Sequence, residues 1–293
     1  MKRFTFLLVF ISSVYSVFGQ VDTTGIKQPA TFSMKAEKAP REKVYKINPW
    51  WELPAAGGAV LLSSAGFRKL EKVSSMTTDE VLALNPNDVN GFDRPVIFHD
   101  PSKYANAQSK SDLFLNISIF TPAILALDKK VRKDWMELLS LYLASHAVDN
   151  ALYFAAAFST RRPRPFLYNK DVPIEERVGD NKSNSFFSGH TGFATTSTFF
   201  LVKVYTDYHN IKGWKRLGLY GLATVPAGLV GFYRMESGRH FRTDVLLGFV
   251  AGAASGILVP ELHRIKKKSG KAMAFSPYYA PGGATGLTMT MGI

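Results

Sequence analysis

Cysteine is absent from all 293 residues. That excludes a thiol nucleophile, disulfide bonds and cysteine-ligated metals. Acidic side chains are scarce: 23 Asp and Glu stand against 36 Lys and Arg, for a net charge of +13. Such a balance suits anionic partners, whether phosphate esters, an acidic membrane surface or nucleic acid. No convincing period-two alternation runs through the body of the chain, so a sheet-based core is not indicated, and no internal repeat or low-complexity tract is visible. What is plentiful is apolar: 46% of residues are hydrophobic, enough to bury a sizeable core.

The N-terminus reads as a secretory signal. Lys2 and Arg3 precede an apolar run from Phe4 to Val17, and Val17-Phe18-Gly19 forms a small-residue cleavage site. Residues 1–19 are therefore assigned as a signal peptide, with an uncleaved anchor helix as the alternative. No cysteine follows, so it is not a lipoprotein signal. Residues 20–113 form a polar leader, one apolar helix over Leu53 to Phe67 behind Trp50 and Trp51, and a connection rich in turn signals such as Asn90-Gly91 and Asp100-Pro101. The two tryptophans suit a membrane interface.

From residue 114 to 268 apolar segments follow one another with short links: Phe114 to Leu127, Trp135 to Phe158, Gly192 to Tyr205, Leu217 to Tyr233 and Val245 to Leu262. This pattern predicts an all-α helical bundle. Several segments approach the roughly 20 residues that a membrane span needs. Gly248, Gly252 and Gly256 make two successive G-x-x-x-G steps, a pattern that favours close helix packing in membranes and in soluble bundles alike. Basic clusters at Lys129 to Lys133, Lys212 to Arg216 and Arg264 to Lys268 occupy alternate connections or ends. In an up-down bundle they share one end, which the positive-inside rule places in the cytoplasm. Membrane-embedded and soluble periplasmic bundles both remain open on these grounds. The tail, residues 269–293, carries alternating Leu287, Met289, Met291 and Ile293 and reads as a terminal strand or as disordered.

The other connections carry chemistry. Ser188-Gly189-His190 ends a polar loop and opens an apolar helix. The first turn of a helix has unpartnered N–H groups and a positive dipole end, which suit phosphate. His240 and Asp244 are four residues apart and share a helix face. A carboxylate there leaves one imidazole nitrogen unprotonated and able to attack phosphorus, while His190 supplies a proton to the leaving group. Arg164, Arg234 and then Arg162 are the candidate cations for the phosphoryl oxygens, because a guanidinium fork matches them. Arg161, Arg239 and Arg242 read as ordinary solvated charges.

Arg164-Pro165, Ser188-Gly189-His190 and Arg234-x5-His240-x3-Asp244 together resemble the type 2 phosphatidate phosphatase superfamily, over roughly Trp135 to Leu262. That superfamily includes lipid phosphate phosphatases, bacterial non-specific acid phosphatases and vanadium haloperoxidases. The resemblance implies His240 as nucleophile, Asp244 as its orienting acid and His190 as proton donor. It gives phosphate binding to Arg164, Arg234, Ser188, Gly189 and, by chemistry, Arg162. It further implies no metal or cofactor for the phosphatase reaction, and a phosphorylated lipid or small phosphoester as substrate. Undecaprenyl pyrophosphate, phosphatidate-type lipids and lipid A phosphates are the candidates, with membrane association and a site facing the periplasm. Nucleic acid is set aside, because the positive charge is spread over the connections of a secreted, helix-rich chain. Three positions depart from the family pattern: Phe187 and Tyr233 replace its Pro and Ser, and Ala157 stands where it has a phosphate-binding Lys. The alternatives are a soluble periplasmic acid phosphatase, a catalytically degenerate envelope protein on the same scaffold, and a vanadate-dependent haloperoxidase.

Overall fold

Local signals mark where several of the helices start. The computed structural model describes residues 43–265, 273–279 and 285–291. The assigned signal peptide and most of the leader lie outside them. The first long helix, α1 (Pro49–Val73), is capped by Asn48, whose side chain accepts from the Trp50 amide at 3.2 Å. Proline at the first helical position costs nothing, because its missing N–H would have no partner there. A short α2 (Thr78–Leu82) follows, closed by a Thr77–Glu80 capping box. Next come α3 (Tyr104–Phe120), prolonged by a 3-10 segment over Thr121–Leu127, and α4 (Trp135–Thr160). Arg161 stops α4 in the left-handed region at φ 42°, and Pro163 and Pro165 prevent its resumption. After the short α5 (Ile174–Arg177) come α6 (Gly189–Tyr208), α7 (Gly213–Glu236) and α8 (Arg242–His263).

The fold is an all-α bundle. Helix α6 is its axis, packed against α3, α4, α7 and α8, while α1 lies on α4 and α3 on α7. The glycine face of α8 meets α6 directly. A Cβ on Gly248, Gly252 or Gly256 would run into the carbonyl oxygens of Ser188, Gly192 and Thr196 respectively. The two successive G-x-x-x-G steps are thus the seam along which two backbones touch.

Each apolar segment but one sits inside a longer helix, and Phe114 to Leu127 runs from α3 into its 3-10 extension. The largest difference is α3, which begins at Tyr104 rather than near 114, so the domain boundary drawn at 113 falls within it. Its first turns are polar and read as loop. The tail contains an antiparallel hairpin, β1 (Met273–Tyr279) paired with β2 (Thr285–Met291), with Met273 opposite Met291.

The bundle buries many polar side chains among its apolar clusters and turns many apolar ones outward. Thr195, Thr196, Ser197 and Thr198 of α6 are buried, as are Asp149 and Asn150 of α4. Large apolar side chains face outward on α1, α3, α4, α7 and α8: Leu61 is 75% exposed, Phe120 72%, Leu222 69% and Val250 60%. Among the described residues, two segments, Pro101–Leu127 and Arg242–His263, are long and apolar enough to cross a membrane.

The predicted two-ended arrangement is present. At one end Tyr208 donates to Asp134 (2.7 Å), His209 meets Asp128 (2.6 Å), and Arg216 and Arg264 each approach Asp207 to 3.4 Å. Lys203 pairs with the same Asp207 and with Glu261, and the Tyr45 hydroxyl donates to Asp207 at 2.9 Å. The described members of the three basic clusters belong to this end. The motif-bearing loops close the other.

Candidate active site

Five helices and two connections converge on a cavity of about 410 Å³ at the motif end. Helix α1 contributes Phe67, Leu70 and Glu71, α3 contributes Gln108 and Asp112, and α4 contributes Tyr153. Arg164, Asn181 and Asn184 come from the connection after α4, Gly189, His190 and Phe193 from the start of α6, and Arg234, Arg239 and His240 from the α7–α8 turn.

His240 is buried, and its Nδ1 lies 2.7 Å from the Ser185 carbonyl oxygen. A carbonyl only accepts, so Nδ1 carries the hydrogen and Nε2 keeps its lone pair. Burial first, then the charges of Arg234 and Arg164, hold the His240 pKa well below the usual histidine value. The imidazole is therefore neutral, as a nucleophile must be.

The direct Asp244–His240 hydrogen bond expected from the spacing is replaced by an indirect link. Asp244 Oδ2 accepts from the Ser185 hydroxyl (2.6 Å) and from the Phe241 amide (2.8 Å), and Oδ1 accepts from Arg162 (2.5 Å). The reason is helical geometry. His240 precedes α8, so Asp244 turns back to cap the helix start and reaches Ser185, the residue whose carbonyl holds the imidazole.

Arg162 faces away from the cavity. Its guanidinium bonds Asp244, Asp93 (2.8 Å) and Thr243 (2.8 Å), and lies 4.2 Å from the Phe241 ring centroid. Asp93 also accepts from the Thr243 amide and hydroxyl, and these hydrogen bonds hold its carboxyl below the usual range despite burial. The geometry makes Arg162 an anchor for Asp244 rather than a ligand for phosphate.

Arg164 and Arg234 do face the cavity. Arg164 is held by Asn184 (Nε, 3.0 Å) and Asn181 (Nη2, 3.1 Å), and burial lowers its pKa to about 10, which leaves it charged at neutral pH. Arg234 is 4% exposed, yet its Nε and one Nη have no hydrogen-bond partner among the described residues. A buried guanidinium with free donors is costly, and an anion in the cavity would satisfy it.

The Ser188 hydroxyl is committed to its cap. It receives the Thr191 amide at 3.4 Å and lies 2.9 Å from the Thr191 hydroxyl, while the Ser188 amide donates to the Asp244 carbonyl at 3.0 Å. Gly189 and His190 follow at the cavity wall. The His190 Nε2 lies 3.4 Å from Asp112 Oδ1. Ala157, at the position of the family lysine, is fully buried in an apolar cluster with Leu70, Tyr153, Phe187 and Ala251.

The sequence reading missed Ser185, Asp93, Asn181, Asn184, Asp112 and Arg239. The Ser-Asn-Ser run at 183–185 between two motifs was an available signal. Asp93 was not legible, because its partners lie far along the chain.

A neutral histidine, a second histidine, and two buried arginines of which Arg234 keeps free donors thus line one cavity at the start of α6. Residues 138–268 match the model of the PAP2 superfamily. Among solved structures, LpxE of Aquifex aeolicus is similar at 20% identity, over 57% of this chain and 92% of that one, with a TM-score of 0.39. A transmembrane PAP2-type phosphatidylglycerolphosphate phosphatase from Bacillus subtilis is similar at 19% identity, over 73% and 96%, with a TM-score of 0.40. No curated protein matches the chain by sequence.

Proposed function

We propose that the protein is a membrane-embedded phosphatase that removes a terminal phosphate from a lipid through a phosphohistidine. The observation that carries the reading is the neutral His240, its Nε2 unprotonated, in one cavity with the unpartnered guanidinium of Arg234. In the first step His240 Nε2 attacks phosphorus and the P–O bond to the leaving group breaks. Burial first and then Arg234 lower the His190 pKa to about 4 in the free protein, so His190 takes up a proton as the phosphate dianion binds, beside Asp112, and gives it to that oxygen. In the second step His190 takes a proton from water, the water oxygen attacks phosphorus, and the N–P bond breaks to release inorganic phosphate. Arg164 and Arg234 neutralise the equatorial oxygens throughout.

The outward apolar faces favour a lipid over a soluble ester. Side chains such as Leu61, Leu222 and Val250 would be poorly placed in water and well placed in acyl chains. Phe67, Leu70 and Phe193 continue that apolar character into the cavity wall. The basic end lies opposite the site, so the positive-inside rule supports a site facing the periplasm.

The test is phosphate release by detergent-purified protein on undecaprenyl pyrophosphate, phosphatidate and a soluble aryl phosphate, wild type beside His240→Ala. Release from the lipids that the variant abolishes is the expected result. Equal release from the aryl phosphate supports a broad periplasmic phosphatase instead. Turnover retained by His240→Ala refutes the nucleophile.

A further inference from the structure

We propose that Arg239, a residue of no motif, is the third phosphate-binding cation of the cavity and supplies the charge absent at Ala157. The proposal rests on the phosphatase reading above. Ala157 itself sits in an apolar cluster, and the two arginines nearest in sequence are engaged elsewhere. Arg161 is exposed where α4 ends, and Arg162 is bound to Asp93 and Asp244. Arg239 lines the cavity together with Arg234 and His240, and also borders the neighbouring hollow beside Phe166 and Lys182.

Its placement is fixed at both main chain and side chain. The Arg239 amide donates to the Arg234 carbonyl at 3.0 Å, and its own carbonyl accepts from Arg164 at 3.4 Å. The preceding Gly238 makes this turn possible. Its φ is +64°, and a Cβ there would press on Tyr104 and Phe166 at 2.9 and 3.0 Å. The Arg239 side chain lies over the Phe166 ring, 5.3 Å from its centroid, and donates one N–H to Gln108 Oε1 at 2.9 Å. A guanidinium has five N–H donors, so donors remain for an anion. A cation held in this way loses little entropy when a phosphate arrives, which is what a binding residue requires.

The experiment titrates folded protein with inorganic orthovanadate, a phosphate mimic, and follows binding by calorimetry alongside turnover. Arg239→Gln should weaken vanadate by about tenfold or more, as for loss of a charged hydrogen-bond donor. Arg161→Gln should bind as wild type does. Arg239→Lys, which retains the charge, should fall between. Arg239→Met keeps packing over Phe166 and serves if the Gln variant does not fold. Vanadate affinity within twofold of wild type in Arg239→Gln, or in Arg239→Met in its place, overturns the assignment while leaving the phosphatase reading intact. Wild-type protein that binds no vanadate overturns both.

Discussion

The Nδ1 atom of His240 lies 2.7 Å from the backbone carbonyl oxygen of Ser185, and the Ser185 hydroxyl lies 2.6 Å from Asp244 Oδ2. The carboxylate is thus linked to the imidazole through one intervening residue. Ser185→Ala removes the hydroxyl but keeps the carbonyl, so the imidazole stays held. Turnover should drop by roughly tenfold or less, the scale of about 0.5–1.5 kcal/mol for one hydrogen bond. Asp244→Asn loosens Ser185, the α8 cap and Arg162 together, and should cost at least about a hundredfold. Kinetics on both variants in one preparation decide the point. Equal losses would show that the serine is more than a spacer.

Arg162 gives a contrasting pattern. Its partners Asp93 and Asp244 are both fully buried. Removing one member of such a pair strands the other, and about 3–5 kcal/mol is usual at wholly buried sites. Arg162 is itself 23% exposed, so solvent reduces that figure. Arg162→Gln should therefore lower the melting temperature clearly while folded protein binds orthovanadate within a few-fold of wild type. Arg164→Gln should weaken vanadate far more. Thermal melts paired with titration separate the roles. Strong loss of vanadate binding in Arg162→Gln, without destabilisation, would return that residue to the phosphate site.

A histidine held neutral by burial leaves a mark on stability. The unfolded chain protonates His240 near pH 6.5, the ordinary histidine value. The folded protein resists until well below that. Between those two pKa values the unfolded state binds more protons, so stability falls as pH drops through 6.5 toward the folded value. The penalty approaches about 1.4 kcal/mol per pH unit for one such group. Wild-type protein should lose melting temperature more steeply from pH 7 to pH 5 than His240→Gln does. Parallel curves would mean that the imidazole protonates freely in the folded state.

The helices were legible because their apolar segments are long. Those at Trp135, Leu217 and Val245 each sit within one observed helix. The start of α3 was not, since Tyr104 to Asp112 is polar, and it is polar because Gln108 and Asp112 face the cavity. The two histidines and Arg164 and Arg234 were readable as spacing. Arg239 was not, being one of 36 basic residues until the fold brought it to Gln108 and Phe166. The contact that holds His240 is a backbone carbonyl, which no side-chain pattern announces.

The glycine seam ties packing to the site. Gly248 faces the carbonyl of Ser188, the residue that caps α6 just before His190. Gly248→Ala adds one methyl group against backbone, which cannot rotate away. Overpacking of this kind costs about 1–3 kcal/mol, and the displacement falls on the Ser188–Gly189–His190 turn. Both melting temperature and turnover should fall. Gly218 of α7 meets nothing within 4 Å, so Gly218→Ala should leave turnover unchanged. Equal behaviour of the two variants would argue that α6 and α8 are not packed this closely.

Arg234 is where stability and function should pull apart. Its guanidinium is buried and leaves two nitrogens without partners among the described residues. In the free protein that desolvation is an uncompensated cost. The cost is tolerated if the donors are needed for an anion that comes and goes, as strained or unsatisfied groups at active sites commonly are. Arg234→Gln should then leave the melting temperature unchanged or raise it, while turnover falls by about 10²–10³, the scale seen when one transition-state donor is removed. Orthovanadate should stabilise wild-type protein against heat and stabilise the variant much less, because ligand binding to the folded state adds to stability in proportion to affinity. Melts of both proteins with and without vanadate test this directly. A variant that loses stability but keeps its vanadate response would make Arg234 part of the scaffold instead.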